Sequence, residues 1–267
     1  MNPFFSIIIP TYNAEKLLPA ALQSILEQSF HDYEVIIMDG LSKDETIEIA
    51  EEYAINNSKI KLYSKKDAGI YDAMNNGIKK ANGKYLFFLG SDDTFYDNYV
   101  LFNVHKELKK TKVDVLYGCI SSTRYGTKYD GAFTYEKLSK KNIGHQAIFF
   151  GRNVFDIIGD FNLNYKVLAD WDHNIGWFFS KKVKNKYIDL VICNFSDGGF
   201  SSVYSDVLFE EERPYLILTK GWNKLNQKDI IKIAAKAKKI AKSKNNYLRL
   251  FLINILLLLY KMRINLT

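Results

Sequence analysis

Short apolar runs and helix-spaced apolar stripes alternate from Ser6 to Asp93. Ser6–Ile9 is a β-branched run that stops at Pro10, as a buried parallel strand would. Leu18, Ala21, Leu22, Ile25 and Leu26 then recur at helical spacing. Tyr33–Met38 predicts a second strand closing on Asp39-Gly40, and residues 42–56 predict a helix with Ile47, Ile49 and Ala50 inward. Ile60–Tyr63 predicts a third strand. Ile70, Ala73, Met74, Gly77, Ile78 and Ala81 form one apolar stripe, with Gly83 as its stop. Lys84–Leu89 predicts a fourth strand running into Gly90-Ser91-Asp92-Asp93.

Strand and helix alternate with short connections, which predicts an α/β fold: a mainly parallel sheet flanked by helices. Ligands of such sheets bind beyond the carboxyl ends of the strands. The polar residues there are Thr11-Tyr12-Asn13, Asp39, Asp67 and Asp92-Asp93, and the fold should gather them at one edge. The second half is less regular. Strands are expected over 113–117, 145–150 and 187–193, a helix over 169–179, and a mobile flap over 196–202, where two glycines fall together.

Composition narrows the picture. A chain of 267 residues, 47% hydrophobic, suits one large α/β domain with or without a small appendage. The net charge of +7 sits mostly near the C-terminus and therefore describes the tail. Cys119 and Cys193 lie in apolar stretches with no metal-like spacing, which fits a reducing, cytosolic compartment. No secretory signal is read at the N-terminus. Neither G-x-G-x-x-G after the first strand nor a P-loop is present, which argues against dinucleotide dehydrogenases and P-loop enzymes.

Two acidic groups can carry chemistry. Asp92-Asp93 at a strand end suits a hard cation such as Mg2+ or Mn2+, or else a helix-capping turn. Asp170-Trp171-Asp172-His173 puts two carboxylates at a helix start, where they serve chemistry or simply cap.

The run from Ser6 to Asn13, then Val35–Gly40 with Ser42 and Asp44, Asp67–Asn75, Leu89–Asp93, His145-Gln146-Ala147 and Ala169–Asp172 together resemble glycosyltransferase family 2. The likeness is to its bacterial branch that builds capsule, exopolysaccharide or lipopolysaccharide. It implies the GT-A fold, inversion at the anomeric carbon, and Mg2+ or Mn2+ as cofactor. By the same resemblance, Thr11, Tyr12, Asn13 and Asp39 hold the nucleotide base. Asp67, Gly69, Asp72 and Asn75 line the nucleotide and sugar, Asp92 meets ribose or sugar, and Asp93 ligates the metal. Asp170 falls on the catalytic base, with Asp172 as the alternative because Ala169 stands where the family often has Glu. His145, Gln146 and Trp171 lie on the acceptor side.

The domains expected are a catalytic unit at 1–225, with a donor half of about 1–118 and an acceptor half of about 119–225, and a helical tail at 226–267. In the tail, Ile230, Ile233, Ala234, Ala237 and Ala241 share one helical face amid lysines, and Leu250–Tyr260 is nearly all apolar. That run is too short to span a bilayer, so it predicts an interfacial anchor on an anionic inner leaflet. A helix packed on the domain, or at a homodimer interface, is the alternative. No motif supports nucleic-acid binding. The function expected is transfer of a sugar from a nucleotide-sugar donor to a glycan or lipid-linked acceptor. The alternatives are a non-catalytic nucleotide-sugar- or glycan-binding protein and a nucleotidyltransferase, and the latter would need a Gly-rich basic N-terminal loop that Pro10–Asn13 is not.

Overall fold

The computed structural model describes residues 2–124, 126–197 and 204–264. The first half alternates as the pattern predicts: β1 (Phe5–Thr11), α1 (Leu18–Leu26), β2 (Tyr33–Asp39), α2 (Thr46–Asn56), β3 (Ile60–Ser64), α3 (Ile70–Lys80) and β4 (Tyr85–Phe88). A short β5 (Thr94–Phe95) and α4 (Val100–Thr111) follow. The second half contains β6 (Val115–Ser122), β7 (Gly126–Tyr129), α5 (Tyr135–Lys140), β8 (Ile148–Gly151), α6 (Asn153–Ile158), α7 (Ala169–Phe179) and β9 (Asn185–Asn194). Three helices end the chain: α8 (Val207–Gly221), α9 (Gln227–Ser243) and α10 (Tyr247–Ile264).

One nine-stranded sheet runs in the order β3-β2-β1-β4-β8-β6-β9-β5, with β7 beside β6. Strands β1 to β4 are mutually parallel, whereas β8 lies between β4 and β6, antiparallel to both. Alternate residues of each strand enter opposite cores. Ile8, Ile36, Met38, Leu86 and Phe88 face a cluster with α3, α6, α7 and the C-terminal helices. Ile7, Ile9, Val35, Ile37, Phe87 and Leu89 face one with α1, α2 and α4. Strand β1 pairs β4 only through Ile8, so Pro10 falls where β1 keeps β2 alone as neighbour. That position tolerates its missing N–H.

Two expectations change in detail. The helix expected from Ser42 starts at Thr46. Leu41 adopts φ +63°, which no helix continues, and Ser42 and Asp44 use their side chains to tie loops together. The strand expected from His145 starts at Ile148, because His145–Ala147 winds into a 3-10 turn. In the segment from residue 226 on, Ile230, Ala234, Ala237, Ala241, Ile253 and Tyr260 are buried in the same cluster as Phe150 and Trp177, the packed arrangement given above as the alternative for the tail.

Candidate active site

The β1, β2 and α3 loops meet at one edge of the sheet. Tyr12 stands 59% exposed after β1. Asn13 follows with φ +50°, and its main-chain N–H and side-chain oxygen bond Ser42 Oγ and Lys43 N, both at 2.9 Å. Thr11 is buried and bonds back to the Ile9 carbonyl. Asp39 is buried and accepts from Leu41 N, Ser42 N, Ser42 Oγ and Ser64 Oγ, so it holds the β2 turn closed. A side chain at Gly40 would come 2.7 Å from Asp67 Oδ2 and 3.4 Å from the Tyr12 ring. Gly40 therefore packs closely against Asp67 and Tyr12, and a side chain there would force the Asp67 carboxylate to move. Burial, with repulsion from Asp72 and Asp39, pushes the Asp67 pKa up.

Gly69 begins α3 at φ +121°, a conformation that costs glycine little. Asp72 accepts from Ala68 N at 3.0 Å and so fixes that turn. Asn75 is buried, and both ends of its amide are used: Nδ2 donates to Phe161 O at 2.9 Å and Oδ1 accepts from Phe161 N at 3.0 Å. Asn75 thus braces the loop before α7 with one bond from each end of its amide.

Asp92 and Asp93 follow β4. A Cβ at Gly90 would lie 2.4 Å from Asp93 Oδ2 and 2.7 Å from Asp92 Oδ1, so glycine lets the chain fold back over both carboxylates. Asp92 is half-buried, and burial raises its pKa. Asp93 is 1% exposed, with Oδ2 accepting from Gln146 Nε2 and Oδ1 from Ser196 N, both at 2.9 Å. Burial, then the neighbouring Asp92 charge, raise its pKa to about 6. Among the described residues no group of three or more His, Cys, Asp or Glu is placed to hold a metal. The pair nonetheless suits a divalent ion, because it sets two carboxylates side by side in a buried place, and a bound diphosphate would supply the remaining hard oxygen ligands.

Asp170 opens α7 and is buried. Its Oδ1 accepts from Tyr71 Oη and Trp171 N, both at 2.9 Å, and its Oδ2 from Asn142 Nδ2 at 2.8 Å. His145 Nδ1 stands 3.6 Å from Oδ2. Its other nitrogen, Nε2, is buried without a partner. Tyr71 shares its proton with the Val167 carbonyl at 2.6 Å, and burial, then the Asp170 charge, hold its pKa well above the usual phenol range. Asp172 is half-buried two residues on, and the charges that reach it are those of Lys220 and Glu212 on α8. Trp171 donates Nε1 to Leu138 O at 3.0 Å and lies under the Arg213 guanidinium at 4.2 Å, so it supports the helix and does not offer a bare ring face. Of the loop expected at 196–202, Gly198–Ser202 fall outside the described residues. Asp197 is anchored by Ser122 Oγ, Thr123 Oγ1 and Arg124 N.

Asn142, Tyr71 as a partner of Asp170, and Ser196 as a partner of Asp93 have no signal in local sequence, because each partner lies tens of residues away. The structure does gather the predicted groups. Segment 142–146 contacts both acidic centres, Asn142 at Asp170 and Gln146 at Asp93.

The architecture is the GT-A glycosyltransferase fold. Residues 90% of the chain long superpose on 71% of S. aureus TarS 1-349 in complex with UDP-GlcNAc, at TM-score 0.68 and 20% identity. A mannosyltransferase from Pyrobaculum calidifontis, in complex with GDP-Man and Mn2+, matches at TM-score 0.60 and 15% identity, over 96% of this chain and 87% of that one. The chain belongs to glycosyl transferase family 2, which matches residues 6–180. A PGL/p-HBAD biosynthesis glycosyltransferase of Mycobacterium tuberculosis is 38% identical over 236 residues, 84% of this chain and 92% of that protein. An uncharacterized glycosyltransferase of Rickettsia prowazekii is 32% identical over 202 residues, 70% and 62% of the two chains.

Proposed function

We propose that the protein is an inverting glycosyltransferase that moves a sugar from a nucleotide-sugar donor to a hydroxyl of a glycan or lipid-linked acceptor, in the biosynthesis of a surface polysaccharide. One observation carries this reading: segment 142–146 binds Asp170 at one end and Asp93 at the other, so one short stretch of chain links the candidate base to the candidate diphosphate site. Tyr12, Gly40 and Asp67, which lie against one another, would hold the nucleotide. Asp170 takes the proton of the acceptor hydroxyl as that oxygen attacks the anomeric carbon. Asp170 is preferred over Asp172 because its carboxylate meets Tyr71, Asn142 and His145 on the Asp93 side, whereas Asp172 feels the charges of α8. Asp92 and Asp93 would hold Mg2+ or Mn2+, which offsets the charge developing on the leaving diphosphate. A relative named for PGL/p-HBAD biosynthesis and neighbours bound to UDP-GlcNAc or GDP-Man with Mn2+ support a nucleotide-sugar donor.

The work is proposed to occur at the inner face of the cell membrane. No described helix is long and apolar enough to cross a membrane. Helix α10, however, turns Ile253 and Tyr260 into the core and leaves Leu248, Phe251 and Leu258 59–69% exposed along its other side. Exposed lysines on α9, among them Lys232, Lys239 and Lys242, add charge suited to anionic lipid. A thermal-shift screen of UDP, GDP and dTDP sugars with and without Mn2+ tests the central reading. One sugar nucleotide should raise the melting temperature, and Mn2+ should enlarge the shift. No shift with any of them, in a folded protein, would refute it.

A further inference from the structure

Helix α7 carries, beyond Asp170, a buried polar chain that the transfer chemistry itself does not require. Trp177 donates Nε1 to Asn174 Oδ1 at 2.8 Å. Asn174 donates Nδ2 to Asn142 Oδ1 at 2.9 Å and to Ile143 O at 3.0 Å. Asn142 in turn donates Nδ2 to Asp170 Oδ2 at 2.8 Å. Trp177 and Asn174 are 0% and 1% exposed, so the bond between them is shielded from water and losing either partner would leave a buried polar atom unpaired, whereas the bonds of the half-buried Asn142 are only partly shielded.

The order of donors and acceptors gives the chain a direction. An asparagine amide can be turned either way, and the two orientations differ in which end donates. Trp177 Nε1 can only donate, so it fixes the Oδ1 end of Asn174 and turns that residue's Nδ2 toward Asn142. That N–H in turn selects Asn142 Oδ1, which leaves Asn142 Nδ2 aimed at Asp170. The indole two turns away and the Ile143 carbonyl, which can only accept, together therefore favour the orientation in which Asp170 meets an N–H and not a carbonyl.

Lone-pair counting shows what this does for the carboxylate. An ionised carboxylate offers about four acceptor positions. Tyr71 and Trp171 N occupy those of Oδ1, and Asn142 takes one of Oδ2. The position left open is on Oδ2, the oxygen that faces His145.

We propose that the Trp177–Asn174–Asn142 chain locks Asp170 in the orientation that turns one Oδ2 lone pair to the acceptor, so that Asn142 and Asn174 are positioning residues for sugar transfer. The proposal rests on the reading of Asp170 as the base. Without Asn142 the carboxylate keeps its Oδ1 bonds but can pivot about them, and a displacement of about 1 Å at a reacting group can cost on the order of 10²-fold in rate.

The test uses the full-length protein, with the sugar nucleotide found in the thermal-shift screen. Asn142→Ala should lower kcat on the order of 10²-fold and Asn174→Ala about tenfold, with donor KM and UDP or GDP binding within about twofold of the parent. Trp177→Phe keeps an aromatic ring, removes the donor and should fall between the parent and Asn174→Ala. Asn142→Asp keeps the shape, replaces the N–H by a second carboxylate and should be at least as damaged as Asn142→Ala. A role in folding alone would lower the melting temperature and nucleotide binding together and leave kcat per folded molecule unchanged, and that result overturns the proposal. If Asn142→Ala does not fold, Asn142→Asp and Trp177→Phe decide by the same criterion. An inactive Asp170→Asn beside fully active Asn142 variants also overturns it while leaving the base assignment standing. An active Asp170→Asn removes the base assignment and this proposal with it.

Discussion

The two acidic centres of the pocket are built on opposite principles. At the end of β4, Asp92 and Asp93 stand side by side, and Asp93 has one hydrogen bond to each oxygen. Two carboxylates share the burial there, and the Asp93 pKa is pushed up to about 6. At the start of α7, Asp170 stands without a carboxylate neighbour in its hydrogen-bond shell, and three neutral donors surround it. In the proposed function the first centre, where two carboxylates are buried together, would take a cation, and the second, ringed by neutral donors, would take a proton. A carboxylate's task is thus decided less by its own chemistry than by whether its partners leave it short of charge or of one bond.

The largest effect should come from the second centre. Asp170→Asn is nearly isosteric but cannot take the acceptor proton, so turnover should fall on the order of 10²-fold or more while sugar-nucleotide binding persists. Asp172→Asn should cost less than tenfold, because its carboxylate feels the α8 charges. Steady-state kinetics of the two variants side by side check the contrast, and a reversal of their order would mean that Asp172 is the base.

Acid should move the two regions in opposite directions. As pH falls through about 6, Asp93 takes up a proton in the folded state before the unfolded chain does, since its pKa is raised from 3.8. It therefore adds stability on acidification, on the order of 2 kcal/mol between pH 7.5 and 4.5 in metal-free protein. His173, three residues after Asp170, is packed against Phe150, Phe155 and Phe161. Burial lowers its pKa to about 4. The unfolded chain is then protonated first, and stability is lost as pH falls from 6.5 toward 4, again by on the order of 2 kcal/mol. Denaturant melts across this range should show Asp93→Asn stabilising at pH 7.5 and losing that advantage by pH 4.5. The advantage of His173→Phe over the parent should grow as the solution is acidified. The same slope in parent and variants would mean that neither group titrates with folding. Saturating Mn2+ should stabilise the parent more than Asp93→Asn at pH 7.5, and this difference should shrink at low pH.

The smallest effects belong to α10, where inward and outward faces can be separated. Phe251→Glu with Leu258→Glu should weaken binding to anionic vesicles about tenfold or more, with transfer to a soluble acceptor unchanged. Ile253→Glu, on the buried face, should instead lower the melting temperature sharply. If vesicle binding survives the outward pair and the protein goes from dimer to monomer by light scattering, that face joins two copies of the chain.

Period and spacing made the first half of the fold legible. Strands β1 to β4 and helices α1 and α3 follow from local alternation, and the acids at their ends follow from the rule that parallel strands present ligands at their carboxyl edge. Asp170 was legible as a candidate, but the preference for it over Asp172 proposed above rests on tertiary contacts, since both share one helix start. The second half was harder, because β8 inserts antiparallel between β4 and β6 and no local pattern encodes that order.

From sequence alone come the α/β class, the family likeness, and the choice of Asp92, Asp93 and Asp170 as the candidate acids. These depend on short-range periodicity and on motifs whose residues are neighbours in the chain. Only the tertiary structure decided that Asn75 braces a loop, that Trp171 is roofed by Arg213, and that the C-terminal helices share the catalytic core. It alone brought Asn142, Asn174 and Trp177 into line behind Asp170. A hydrogen bond acts over about 3 Å whatever the separation along the chain, so the partner of a side chain tens of residues away is a property of the fold and leaves no mark on the local pattern.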